Sequence, residues 1–202
     1  MKTFPAFNSF IKNGHILLLL TLIASYSHAD ESLIPEPFRG ESSDSKLTIN
    51  YAKYNAILDA AVLNMGPSTR KKAKKSVATV STRLKAPISR KTENEGNRFL
   101  YESFKTQEQI EFVSNTRKEL ANLPLKTPLR EFSNSEQLAY WINLYNVTII
   151  DEILKIYPKR DLESFLEGDQ GLLSKKVLSV SNIELSLNDI QYKILLNKFN
   201  AN

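Results

Sequence analysis

The sequence contains no cysteine, and its only two histidines, His15 and His28, lie within the first 29 of its 202 residues. The absence of cysteine excludes disulfide bonds, so the stability of the folded chain must come from packing. If the first 29 residues are removed as a signal, Ser-His catalysis, Cys-His catalysis and the usual zinc sites have no residues to use. We therefore lean against catalysis by this chain and expect no metal site and no cofactor.

The first 29 residues have the pattern of a cleavable secretory signal. Lys2 and Lys12 make the start positive, residues 16–23 form the short apolar run I-L-L-L-L-T-L-I, and Ser27 and Ala29 are small residues suited to cleavage before Asp30. A transmembrane anchor is the alternative, but a run of about eight apolar residues is far shorter than the roughly 20 that a spanning helix needs. The pattern predicts a signal peptide over residues 1–29 and export to the periplasm or the medium.

Residues 133–158, S-N-S-E-Q-L-A-Y-W-I-N-L-Y-N-V-T-I-I-D-E-I-L-K-I-Y-P, predict a long helix around which the fold is built. Ser133 and Glu136 have the spacing of a capping box at its start, and Pro158 ends it. Apolar residues occupy every face of the helix rather than one stripe, which indicates a buried central helix.

Asn143 and Asn146 interrupt this apolar helix at neighbouring positions. A buried amide without a partner costs about 1–3 kcal/mol, so both side chains should be hydrogen-bonded. They either tie the helix to a neighbouring loop or strand, or they line a site and orient a ligand there.

The rest of the chain predicts an α+β fold that is mainly α, with helices and short antiparallel β-hairpins around the central helix. Further helices are expected near residues 47–64, ending at Gly66-Pro67; near 106–122, starting at the capping box Thr106 and Gln109 and ending near Pro124; and near 187–199, capped by Ser186. Strand pairs are expected within residues 77–104, where 77–84 would pair with 98–104, and within 177–186. Residues 30–46, rich in Pro, Gly and Ser, predict an extended, poorly ordered leader.

A dense basic run lies between the first helix and the first predicted strand, and its members are Arg70, Lys71, Lys72, Lys74 and Lys75. Such a run most often forms a solvated face, and the alternative is contact with anionic lipid or envelope polymer. Nucleic acid is not expected as a partner, because the chain is predicted to be exported and no aromatic residues interleave the run. The acidic residues after Pro158 do not have the spacing of a calcium-binding EF-hand loop, so they predict a surface turn.

Three stretches of the chain resemble the DUF547 domain family. The motif Trp141, Ile142, Asn143, Leu144, Tyr145, Asn146 is similar to the Trp-Ile-Asn-x-Tyr-Asn helix of the family. Residues 177–180 and 183–190 resemble its short hairpin and its Ser-Leu-Asn-Asp-Ile helix start, and residues 48–51 and 95–98 resemble segments that precede the helix in bacterial members. The resemblance covers roughly residues 47–199, and it predicts a DUF547-like domain over residues 47–202. It implies that Asn143 and Asn146 border a ligand site on the motif helix, which also carries Trp141, Ile142 and Tyr145.

The family also has a segment after its last helix with a histidine and one or more cysteines, which suggests a site like that of a cysteine hydrolase. This sequence reaches Asn202 about where that segment would begin, so we expect a C-terminally incomplete domain and transfer no catalytic residue. Another protein chain that completes the domain is the partner this expectation suggests.

Three functions remain open on the sequence. The chain is an exported DUF547-like domain without catalysis that binds a partner or an envelope component or serves as a scaffold. Alternatively it is a cysteine-hydrolase-like enzyme whose catalytic segment is missing or supplied by another chain, or it uses a pair of carboxylates. The third alternative is a product with no selected activity.

Overall fold

The computed structural model describes residues 31–64, 97–159 and 161–199. This part of the chain is α+β and mainly helical, as predicted, with five α-helices, one π-helix and two small antiparallel sheets. The α-helices are α1 (Ala52–Ala61), α2 (Gln107–Lys126), α3 (Asn134–Leu154), α4 (Glu163–Leu166) and α5 (Leu196–Phe199), the π-helix is Asp189–Leu195, and the strands are β1 (Val62–Leu63), β2 (Arg98–Phe99), β3 (Lys176–Val180) and β4 (Ile183–Ser186). The predicted signal, the basic run at 70–75 and the predicted strand at 77–84 lie outside the described residues.

Helix α3 is the centre of the core, and it packs against α2 and the π-helix. Tyr140, Trp141, Leu144 and Val147 are fully buried. The helix is not covered on every face as predicted, because the side chain of Ile142 is 42% exposed. It also ends at Leu154, three residues before the predicted end, where the backbone N–H of Ile156 donates to the carbonyl of Ile153 in a tighter turn.

The two predicted capping boxes have different outcomes. Thr106 and Gln109 form a complete box at the start of α2. At the start of α3 the Ser133 hydroxyl accepts from the backbone N–H of Glu136, but the Glu136 carboxylate does not reach back to Ser133. It accepts instead from the backbone N–H of Ile49, 2.8 Å away, and so holds the segment before α1 against α3.

Helix α2 does not end at Pro124 as predicted but continues to Lys126. A proline inside a helix leaves the carbonyl four residues earlier without its usual backbone donor. That carbonyl belongs to Leu120, and it accepts a hydrogen bond of 3.2 Å from the hydroxyl of Tyr140 on α3. Tertiary structure therefore supplies the donor that the proline lacks.

The predicted leader is folded from Glu31 onward. It contains two 3-10 turns, Glu31–Leu33 and Glu36–Phe38, and it buries Ile34 and Phe38 completely. The ring of Phe38 packs edge-on against Trp141 with centroids 4.9 Å apart. Ile34 and Phe38 each lie next to a proline of this segment, and their burial makes the segment part of the core.

The predicted hairpin near 177–186 is confirmed, since β3 pairs with β4 in antiparallel register with Val180 opposite Ile183. Its two-residue turn has positive φ at both Ser181 and Asn182, as a tight hairpin requires. The other sheet differs from the prediction. Helix α1 ends at Ala61 rather than at Gly66, and Val62–Leu63 pairs with Arg98–Phe99.

The last predicted helix begins as expected and then changes its winding. The Ser186 hydroxyl accepts from the backbone N–H of Asp189, and the Asp189 carboxylate accepts from the backbone N–H of Ser186. The helix is π over Asp189–Leu195 and α over Leu196–Phe199. At its end the Lys198 ammonium donates to the carbonyls of Phe38 and Gly40 and to the buried amide of Gln137, which joins the two ends of the described chain.

Candidate functional site

The motif helix presents its residues to two environments. Trp141 is fully buried between the rings of Phe38 and Tyr140. Asn143 and Tyr145 are half-buried, and Asn146 is exposed. The motif therefore anchors the core with its tryptophan and turns its two asparagines toward the edge of the helix.

Both asparagines meet tyrosines from the beginning of α1. Asn143 lies beside the hydroxyl of Tyr51, and Asn146 lies beside that of Tyr54. The two tyrosines are three residues apart, as the two asparagines are, so successive turns of two neighbouring elements face each other. This pairing joins the motif of α3 to a segment more than 80 residues earlier in the chain.

The environment keeps both tyrosine hydroxyls protonated. Burial raises the pKa of Tyr51, the negative charge of Glu136 raises it further, and the Asn143 amide opposes the rise. Burial also raises the pKa of Tyr54, and Asn146 opposes that rise. At neutral pH both groups are therefore hydrogen-bonding hydroxyls and not bases.

Among the described residues the buried Tyr51 hydroxyl has no hydrogen-bond partner in normal geometry, although the Asn143 amide is near enough to affect its pKa. A buried polar atom without a partner costs about 1–3 kcal/mol. The neighbouring carboxylate of Glu136 is held by the backbone N–H of Ile49. Burial of this hydroxyl therefore lowers the stability of the fold.

The same two tyrosines line a groove between α1 and α2, named here the α1–α2 groove. Its volume is about 360 Å³, which lies within the usual range for sites of small molecules, roughly 300–1,000 Å³. Its walls carry both polar and apolar groups, and the lining residues are Asn50, Tyr51, Ala52, Lys53, Tyr54, Thr116, Glu119, Leu120 and Leu123.

Charge in the α1–α2 groove is balanced at its rim. The ammonium of Lys53 on α1 lies 2.5 Å from Glu119 Oε1 on α2, and both side chains are more than half exposed. The Thr116 hydroxyl donates to the carbonyl of Phe112, 2.8 Å away, inside α2. The Thr116 hydroxyl can therefore accept a further hydrogen bond but has no proton left to donate, and the charge of the Glu119 carboxylate is neutralised by Lys53.

A family model described as "Protein of unknown function, DUF547" matches residues 129–202. We call residues 129–202 the DUF547 segment, because they are similar to this family. No curated protein and no solved structure is similar enough to the chain to count as a match. The DUF547 segment therefore contains α3 with the motif, the β3–β4 hairpin and the C-terminal helix.

The α1–α2 groove lies outside the DUF547 segment, although the two meet where Asn143 contacts Tyr51. The sequence left open whether Asn143 and Asn146 tie the helix to a neighbouring segment or line a ligand site, and neither is among the residues that line the groove. The sequence did not indicate Tyr54. The feature that could have indicated it is its spacing of three residues from Tyr51, which is the last residue of the stretch 48–51 that resembles bacterial members of the family.

A second polar cluster joins α2 to the DUF547 segment. Asp151 is fully buried, and its Oδ2 lies 3.0 Å from Arg117 Nε and 3.3 Å from Lys155 Nζ. These contacts are ion pairs rather than well-directed hydrogen bonds, while the other carboxylate oxygen accepts from the Ser114 hydroxyl. Arg117 also bonds Glu152 at 2.8 Å. Each charge has a partner, so this cluster holds two helices together.

No three His, Cys, Asp or Glu side chains converge on a metal position within residues 31–64, 97–159 and 161–199. Of the helices in these same ranges, none combines the length and the apolar character needed to cross a membrane.

Proposed function

We propose that this protein is an exported binding domain that holds a small ligand in the α1–α2 groove and has no catalytic chemistry of its own. One observation carries the proposal: Tyr51, a wall of the groove, contacts Asn143 of the family motif. The motif helix would then support the groove from behind rather than enter it.

The groups that line the groove favour binding over catalysis. A general base needs a pKa near the working pH, but burial raises the pKa of both Tyr51 and Tyr54 away from neutrality. Glu119, the carboxylate of the groove, is paired with Lys53 and open to solvent. Amides, hydroxyls and apolar walls of this kind orient a ligand without transferring protons.

Export is the second part of the proposal, and it rests on the apolar run at residues 16–23 followed by Ser27 and Ala29. We expect the secreted form to begin at Asp30, which N-terminal sequencing of periplasmic or culture fractions would establish. Replacing Leu18 with Arg in the apolar run should keep the chain in the cytoplasm at full length. Export of this variant at the normal level would contradict the signal.

Binding in the groove can be tested by ligand mapping in solution. We would add a mixed set of neutral, cationic and anionic fragments to the full chain and record backbone amide shifts by nuclear magnetic resonance. The expected result is a set of fragments whose shifts cluster at α1 and α2 around Tyr51 and Leu123.

A matched pair of variants then locates the site. Ala52 lines the groove and is exposed, so Ala52→Trp fills the groove without disturbing the core. Ala60 is exposed on the same helix and lies outside the described lining of the groove, so Ala60→Trp is the control. Fragment shifts should disappear in A52W and persist in A60W. The proposal fails if no fragment perturbs the groove, or if both variants respond alike.

A further inference from the structure

A second hollow lies beside the α1–α2 groove, and the two have lining residues of α2 in common. This hollow has a volume of about 540 Å³ and shares Glu119 and Leu123 with the first. Its other lining residues are Asn122, Lys126 and Thr127. Two hollows in a row with a common wall suit a ligand that is longer than a single ring.

The charge of this extended groove is close to neutral. Lys53 and Glu119 pair across it at 2.5 Å, and Lys126 lies in the last turn of α2, where it complements the negative end of the helix. A strongly anionic ligand would need several unpaired cations, and a cationic ligand would need unpaired carboxylates. The described lining offers neither, so an uncharged ligand fits best.

The walls combine two kinds of contact at short range. Tyr51, Tyr54, Leu120 and Leu123 are aromatic or aliphatic, and four further members carry an amide or a hydroxyl, namely Asn50, Thr116, Asn122 and Thr127. An extended peptide is usually bound along an exposed strand edge, and a helical peptide in a continuous apolar groove. The described lining consists of helices and their ends and is not continuously apolar, so neither mode applies.

Sugar rings match these walls, because each ring has hydroxyl groups at its edge and apolar C–H groups on its faces. On the basis of the proposed binding function, we propose that the occupant of the extended groove is a short neutral oligosaccharide. Its rings lie along α2, against the tyrosines and leucines, and its hydroxyls bond the amides and hydroxyls of the walls.

Isothermal titration of the full chain with two neutral trisaccharides, triacetylchitotriose and maltotriose, tests the assignment. Tetra-alanine amide and inorganic tripolyphosphate are the peptide and anion controls. We expect saturable binding of at least one trisaccharide with a Kd of about 10 μM to 1 mM, as for a small, solvent-open site. A52W should weaken this binding about tenfold or more, equivalent to about 1.4 kcal/mol, and A60W should leave it unchanged within about twofold.

Other outcomes overturn the inference in distinguishable ways. If tetra-alanine amide or tripolyphosphate binds and neither trisaccharide does, the sugar assignment is wrong but the groove remains a binding site. If a trisaccharide binds equally well to A52W, the sugar lies elsewhere and the assignment also fails. If neither trisaccharide binds, the assignment fails, and the fragment mapping decides the proposed binding function separately. Thermal unfolding of both variants checks that each is folded.

Discussion

Removal of the Tyr140 hydroxyl should destabilise the protein more than removal of any exposed tyrosine hydroxyl. Tyr140 is fully buried, and its hydroxyl donates to the carbonyl of Leu120, which Pro124 leaves without a backbone donor. Tyr140→Phe therefore leaves a buried acceptor unsatisfied at a cost of about 1–3 kcal/mol. A cost of about 2 kcal/mol corresponds to a fall in Tm of about 4–8 °C for a chain of this size.

Tyr51→Phe is the matched comparison, since it deletes the same atom from a buried hydroxyl that has no hydrogen-bond partner among the described residues. We expect its free energy of unfolding to change by less than about 0.5 kcal/mol, or to rise. Thermal unfolding followed by near-ultraviolet circular dichroism measures both, because the single tryptophan, Trp141, lies in the core beside Tyr140.

A double-mutant cycle tests the physical reason as well as the magnitude. Pro124→Ala returns a backbone N–H to the Leu120 carbonyl, so Tyr140→Phe should cost about 1 kcal/mol less in that background. Equal costs in both backgrounds would show that the hydroxyl does not replace the missing donor. A Tyr51→Phe variant that is destabilised as much as Tyr140→Phe would refute the reasoning from the other side.

Three further predictions concern polar contacts that hold the fold together. Burial raises the pKa of Asp189, but hydrogen bonds from two lysines and a serine outweigh this effect and hold the pKa well below its usual range. This carboxylate therefore stabilises the fold fully above about pH 4, and the stabilisation is lost progressively as the pH falls below that value. Urea unfolding at pH 6 and at pH 2.5 should therefore show that Asp189→Asn is more destabilising at the higher pH than at the lower, where part of the stabilisation remains because the folded-state carboxyl is still ionised. An equal effect at both pH values would contradict this prediction. Arg117→Ala should cost about 3–5 kcal/mol because it leaves a buried carboxylate without its main partner, whereas Lys155→Ala, at a 42% exposed side chain, should cost no more than about 1 kcal/mol in the same assay. Lys198→Ala should speed tryptic cleavage of the segment at residues 31–46 about tenfold or more, because hydrogen bonds from a charged donor contribute about 1.5–3 kcal/mol each. Lys175→Ala, at an exposed site, is the control. Equal cleavage rates in the two variants would rule out this role for Lys198.

The sequence predicted the elements of the site better than their arrangement. The motif at residues 141–146 identified the helix, and the family match covers it. The pairing of Asn143 with Tyr51 and of Asn146 with Tyr54 joins residues more than 80 positions apart, and local patterns carry no information about such distances. The groove is even harder to predict from the sequence, because it is the space between two helices. The amphipathic pattern of each helix indicates only that one of its faces packs against the core.

Local chemistry by itself determined where most helices begin and which short hairpin forms. Ser, Thr and Asp side chains cap the amides next to them in the chain, and the Ser181-Asn182 turn connects two adjacent strands. Tertiary structure decided where helices end and which segments are core. Helix α2 continues beyond Pro124 because Tyr140, on another helix, donates to the carbonyl that the proline leaves free. The segment at 31–46 is folded because Phe38 packs against Trp141. Both outcomes depend on partners far away in the sequence, and a buried group is stabilised by whichever partner the fold brings to it.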